Sequence, residues 1–200
     1  MAGRDIKNIW FGQARTDPKR RYRFVLMVGN PDPKSDTFVP IYYVKTAMKP
    51  KANVSQVEHS FLDYNFKYPG RVTWDNITVT LIDPVKPNMA KVFMQMLLES
   101  GYEYPSTSNA RAGISKAKAT TALNTIRIQQ IDDIGNPVES WDLKNAFIAS
   151  VDFGGSLDYT SDEMNEITVE FAFDWAECAG TQGASDKTNY ENTVPALLGT

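Results

Sequence analysis

The residue types that carry catalysis are sparse in this chain. Its one histidine, His59, lies in the polar run Val57-Glu58-His59-Ser60, with no strained nucleophile elbow in view for a serine triad. Its one cysteine, Cys178, follows a strand pattern with no histidine beside it in sequence, which reads as an inert thiol. A single cysteine excludes an intrachain disulfide, and one cysteine with one histidine leaves too few ligands for the usual structural zinc site. Carboxylates do occur in pairs: Asp132-Asp133, Asp152 with Asp158, and Asp162-Glu163. Their spacing is that of a solvated acidic surface as much as of a glycosidase pair. The run 152–166 is rich in oxygen ligands suited to calcium, but it lacks the EF-hand pattern. Gly154-Gly155 has no strand–loop–helix context that would make it a phosphate cradle. Trp74, Trp141 and Trp175, with carboxylates nearby, would suit a carbohydrate-binding or hydrolytic β-sandwich if they were exposed. The expectation is a chain that is not an enzyme and needs no cofactor and no metal.

Composition bounds the alternatives. Two hundred residues, 42 % hydrophobic and 22 % charged, suit one globular domain that buries its own core. No run approaches the ~20 apolar residues of a membrane span. The first ten residues lack a signal-peptide core, so the expectation is a chain made in the cytoplasm. The net charge of −3 argues against a general nucleic-acid binder. That charge is uneven: residues 1–51 carry eleven basic and four acidic side chains, +7, which leaves −10 on the remainder. Such asymmetry suits a basic arm that meets an acidic surface, for instance on another copy of the chain.

The elements that must position these residues are mostly strands. Residues 22–28 and 38–46 are rich in β-branched and aromatic side chains, with Gly29–Lys34 as a breaker between them. Ala47–Ser60 reads as a loop, 61–68 as a third strand and 72–82 as a strong strand, with a turn at Pro69-Gly70. Asn88–Ser100 is the one predicted helix: Asn88 caps it, Gly101 stops it, and Val92, Phe93, Met96 and Leu97 form its apolar stripe. Residues 102–121 read as a long loop, and 125–133 with 138–146 as a hairpin. Over 166–177 strict alternation places Ile167, Val169, Phe171, Phe173 and Trp175 on one buried face. The predicted architecture is antiparallel β, a two-sheet sandwich or barrel with one flanking helix. Residues 1–21 form a basic arm, 22–178 the domain and 179–200 a tail.

Two runs together carry a resemblance. Val44–Pro50 (VKTAMKP) leads into Tyr68–Pro84 (YPGRVTWDNITVTLIDP), and Gly155–Glu177 (GSLDYTSDEMNEITVEFAFDWAE) closes the domain. In this order and spacing they resemble the tail tube proteins of contractile-tailed, T-even-like bacteriophages, over roughly residues 22–177. The resemblance implies a β-sandwich that closes into hexameric rings, stacked as an inner tube in the virion tail after assembly in the host cytoplasm. Its partners would be its own copies, a tail sheath protein, a baseplate starter and a tape-measure protein, with double-stranded DNA in passing. A tube subunit of a related injection or secretion particle is the neighbouring reading. On this footing the hairpin at 125–146 lines the bore, with Arg127, Gln129, Asp142 and Lys144 on its polar side. The segment 47–60 makes the contact between stacked rings through Lys49, Lys51, Val54, Val57 and Glu58. Trp10 and Phe11 anchor the basic arm on a neighbour.

Overall fold

The computed structural model describes residues 18–29, 32, 34–35, 37–105, 113–123 and 126–179. The basic arm with Trp10 and Phe11, and the tail from residue 180, lie outside the described residues.

Among the described residues, ten strands and two α-helices follow in chain order: β1 Phe24–Met27, β2 Val44–Ala47, β3 Ala52–Phe61, β4 Tyr64–Trp74, β5 Ile77–Ile82, α1 Met89–Glu99, α2 Lys116–Leu123, β6 Ile126–Ile131, β7 Pro137–Lys144, β8 Phe147–Asp152, β9 Glu166–Ala172 and β10 Trp175–Ala179. They form two four-stranded antiparallel sheets, β1-β6-β7-β10 and β2-β5-β9-β8, and a separate two-stranded hairpin, β3-β4. The fold is the mainly β, antiparallel sandwich expected, and neither sheet closes into a barrel.

Alternation builds the core. Ile77, Val79 and Leu81 on β5 face Phe171, Val169 and Ile167 on β9 across the ladder, and all six are buried. The first sheet adds Leu26, Ile126, Ile128 and Leu143. Helix α1 lays Met89, Val92, Phe93 and Met96 onto this core, and α2 adds Leu123. As expected, Asn88 caps α1: its side chain accepts a bond from the Lys91 N–H at 2.9 Å. At the end of β1, Gly29 has φ +75°, and a Cβ there would stand 2.5 Å from the Thr37 carbonyl oxygen, so glycine is required.

The structure corrects several boundaries. The segment 47–60 is not a loop: from Ala52 it is strand β3. The expected strand 72–82 is two strands, broken at Asp75-Asn76, and Pro69-Gly70 lies inside β4 at a bulge rather than in a turn. Residues 41–43 wind into a 3₁₀ turn before β2 begins. A second helix, α2, occupies the end of the segment read as a loop. The final strand breaks at Phe173-Asp174, and the chain passes from the second sheet to the first. That break frees Trp175 from the buried set: it is exposed, and its indole N–H donates to Glu177 at 3.0 Å.

Candidate assembly surface

Among the described residues the hairpin β3-β4 has no third strand. It grows out of the β2–β5 ladder, which continues through Met48 N–H to Thr78 C=O (3.1 Å) and Asp75 N–H to Lys51 C=O (3.0 Å). Its turn is the two residues Leu62-Asp63, with Leu62 at φ +52°. Beyond the bulge the register pairs Val57 with Tyr68, His59 with Phe66 and Phe61 with Tyr64. Directly opposed residues share a face, so these six side chains make one apolar, aromatic face. The other face carries Gln56, Glu58, Lys67, Ser60 and Asn65, with a Glu58–Lys67 ion pair at 3.5 Å and a Ser60 to Asn65 hydrogen bond at 2.7 Å. Every residue from Val54 to Thr73 is exposed. An isolated two-stranded hairpin is marginal in water, and a run of exposed aromatic residues on one face marks an interaction surface.

The residues expected to make the stacking contact all fall on this hairpin or its root. Val57 is on the aromatic face, whereas Glu58 is on the polar face and is paired within the chain. Val54 lies on the root side of the bulge, opposite Val72. Lys51 pairs with Asp75 at 3.0 Å, and Asn53 also donates to Asp75, at 2.5 Å. Those two partners, Asn53 first, lower the Asp75 pKa. Reading the residues missed Phe61, Tyr64, Phe66 and Tyr68 as a surface. Their signal was the period-two run Val57-x-His59-x-Phe61 followed by Tyr64-x-Phe66-x-Tyr68.

Lys49 fixes the hairpin root to the first sheet. Its ammonium donates to Gln130 Oε1 at 2.8 Å and Glu139 Oε1 at 2.7 Å. Lys19, where the described chain begins, pairs with the other oxygen of Glu139, and Trp141 Nε1 donates to Oε1 at 2.5 Å. Burial pushes the Glu139 carboxyl up, but the bonds from Lys19, Lys49 and Trp141 together outweigh it and hold the pKa at about 2. One carboxylate thus ties the root of the arm to the root of the hairpin.

The residues expected to line a bore lie on the outward face of β6 and β7. Arg127 holds Asp142 through two bonds, Nε at 2.5 Å and Nη2 at 2.8 Å, and Lys144 pairs with Glu177 on β10 at 3.3 Å. Gln129 shares that face but is only 4 % exposed; its Nε2 donates to Ser140 at 3.4 Å, and its Oε1 is buried without a partner. The outward face of the second sheet is different in kind: Thr46, Thr78, Thr80 and Thr168 are its centre, with Glu170 bonded to Asn76 and Ser150.

The groups that could have made a catalytic or sugar-binding site do not converge. His59 is out on the hairpin and Cys178 is exposed on β10. Trp74 packs on Phe173 with ring centroids 5.9 Å apart, Trp141 is half-buried against Glu139, and Trp175 sits apart on the edge strand β10. No three His, Cys, Asp or Glu side chains among the described residues come together as a metal site. No helix among them is long and apolar enough to cross a membrane.

The fold is similar to that of chains in contractile injection assemblies. A chain of the anti-feeding prophage baseplate superposes with a TM-score of 0.56 at 16 % identity, over 84 % of this chain and 99 % of that one. A chain of the sheath–tube complex of an extracellular contractile injection system, PVC, in its extended state gives 0.57 at 20 %, over 84 % and 95 %. A chain of the PVC sheath/tube terminator gives 0.58 at 18 %, over 83 % and 99 %. No family profile and no curated protein sequence matches the chain.

Proposed function

We propose that this chain is a structural subunit that assembles with its own copies into the inner tube of a contractile, phage-tail-like particle. The observation that carries this is the hairpin, ten and eleven residues long, with an apolar face that the described residues leave bare, on a fold shared with contractile assemblies. Its five large apolar side chains, Val57, Phe61, Tyr64, Phe66 and Tyr68, are half to two-thirds exposed, so each adds roughly 1–2 kcal/mol when covered. That sum is of the size needed to offset the loss of rigid-body freedom on association.

Lateral closure follows from the edges. Each sheet ends in short strands, β1 and β10 in one, β2 and β8 in the other, whose outer N–H and C=O groups suit pairing with a neighbour. Rings of six, stacked through the hairpin and wrapped by a sheath, are the arrangement proposed, with a baseplate starter and tape-measure protein at its limits. For the bore we propose the outward face of β6 and β7. Its charges cancel in the pairs Arg127–Asp142 and Lys144–Glu177, and a wall of zero net sign lets a polyanion such as double-stranded DNA slide without counterion release. Gln129 is buried in that wall and would not touch cargo. The role is non-catalytic.

The test is negative-stain electron microscopy of the purified protein across a concentration series. Rings or tubes with a central hole are the expected result. Monomers at every concentration, with and without a preformed tube end, would remove the proposal.

A further inference from the structure

The aromatic face of the hairpin holds the chain's only histidine, and holds it at the centre. His59 stands opposite Phe66, with the pairs Val57–Tyr68 and Phe61–Tyr64 one pleat to either side. Opposed Cβ atoms are about 5 Å apart and same-face neighbours along a strand about 7 Å. The imidazole is therefore ringed by Val57, Phe61, Tyr64, Phe66 and Tyr68, and like them it is exposed. It is a side chain whose charge changes between pH 5 and 8, set in the middle of an otherwise apolar patch.

Nothing on this face answers a positive charge with a negative one. The strand paired with β3 is β4, and the titratable side chains it brings to the face are the phenols of Tyr64 and Tyr68. The other charged residues of the hairpin are placed elsewhere. Glu58 and Lys67 are on the opposite face and pair with each other at 3.5 Å. Asp63 is in the turn, outside the paired block, and Arg71 is at the bulge, where its N–H donates to Ser55 Oγ at 2.8 Å. The ion pairs Lys51–Asp75 and Lys49–Glu139 are at the root, roughly 20 Å back along the strand.

We propose that His59 is a proton gate on assembly: the face can be covered while the imidazole is neutral and resists covering once it is protonated. The inference rests on the tube reading, in which this face is covered by another copy, and adds to it the condition for covering. In the free subunit water solvates either form. Covering removes that water, and a desolvated charge with no opposite charge beside it is far costlier than a neutral ring. The free subunit can therefore bind a proton that the assembled one excludes. By linkage, association is at full strength above the imidazole range and weakens as pH falls through it. With the ordinary imidazole value of about 6.5 and complete exclusion, subunit addition weakens about tenfold between pH 7.5 and pH 5.5, and about tenfold again for each further unit. Ordinary carboxylates titrate near 4, below this window.

The test compares full-length wild type with two neutral variants, His59→Gln and His59→Phe, and one cationic variant, His59→Lys. Sedimentation gives the concentration above which each protein assembles at pH 7.5, 6.5 and 5.5, and circular dichroism follows the fold at each pH. The wild-type threshold should rise about tenfold from pH 7.5 to pH 5.5, with an unchanged spectrum, and fall again when the pH is restored. The neutral variants should keep one threshold across the window. His59→Lys should assemble at pH 7.5 no better than wild type does at pH 5.5. A flat wild-type profile, the same profile in the neutral variants, stronger assembly in acid, or loss of the fold at pH 5.5 would overturn the gate and leave the tube reading standing. Failure of both neutral variants at pH 7.5 while wild type assembles would overturn it too, since the gate asks only for neutrality. No assembly of any of the four proteins at any pH would overturn both.

Discussion

Replacing Glu139 by Gln separates the charge of the carboxylate from its shape. In the folded chain this carboxyl ionises at about 2 instead of 4.5. A difference of that size between folded and unfolded states corresponds to at most about 3 kcal/mol of stability at neutral pH. The lysines that hold it are 47 % and 45 % exposed, and solvent screening brings the expected value to about 1–2 kcal/mol. The pKa is lowered on folding, so the contribution is complete above pH 4.5 and disappears as pH falls towards 2. Urea unfolding of wild type and E139Q at pH 7, 5, 4 and 3 reads it directly. At pH 7 the variant should be weaker by about 1–2 kcal/mol, or about 2–8 °C in melting temperature for a chain of this size. The gap should be unchanged at pH 5 and should have narrowed clearly by pH 3. A gap that stays constant down to pH 3, or no gap at pH 7, would refute the account of Glu139 as a charged clamp between the arm root and the hairpin root.

Other perturbations should separate folding from assembly. Phe66→Ser with Tyr68→Ser removes exposed side chains, so monomer stability should stay within about 0.5 kcal/mol by urea unfolding while sedimentation shows assembly lost. Phe171→Ala empties a fully buried site between the sheets and should lower stability by about 3–5 kcal/mol, with the circular dichroism melt as the measure. Asn88→Ala deletes the cap on α1 and should lower stability by about 1 kcal/mol in the same melt.

The legible parts of the fold were those where local pattern and tertiary demand agree. Ile77, Val79 and Leu81, or Ile167, Val169 and Phe171, alternate because one face is core and the other is not, and the buried face of each stretch was legible although both expected strands ran past a break. Asn88 and Gly101 bracket α1 by capping chemistry that is wholly local. The hairpin was half missed because no core face imposes its alternation among the described residues. Its turn, Leu62-Asp63, has none of the usual Asn-Gly signal, and its apolar face looks onto solvent. Helix α2 was missed because Lys116–Leu123 is Ala- and Thr-rich and buries only Ala119 and Leu123. The alternation through Phe173 to Trp175 misled in a different way. Period two is blind to a chain that leaves one sheet and joins another in stride. Of the candidate surface, the position between β2 and β5 was legible and its aromatic face was not, since pairing register across a turn decides which side chains align.

That change of sheet at Phe173-Asp174 has a mechanical consequence. The chain also crosses between sheets at Asn145-Ala146, in the opposite direction, and the two crossings touch. The Asp174 N–H bonds to the Lys144 carbonyl at 3.1 Å, Asn145 Nδ2 bonds to Asp174 at 2.8 Å, and Lys116 from α2 clamps the same carboxylate at 2.6 Å. Along this corner the two layers are stitched by two backbone crossings and by the bonds between them. A pull that separates the second sheet from the first is carried at this corner by backbone as well as by the packed interface. The two crossings bind the layers there as a spine binds the pages of a book.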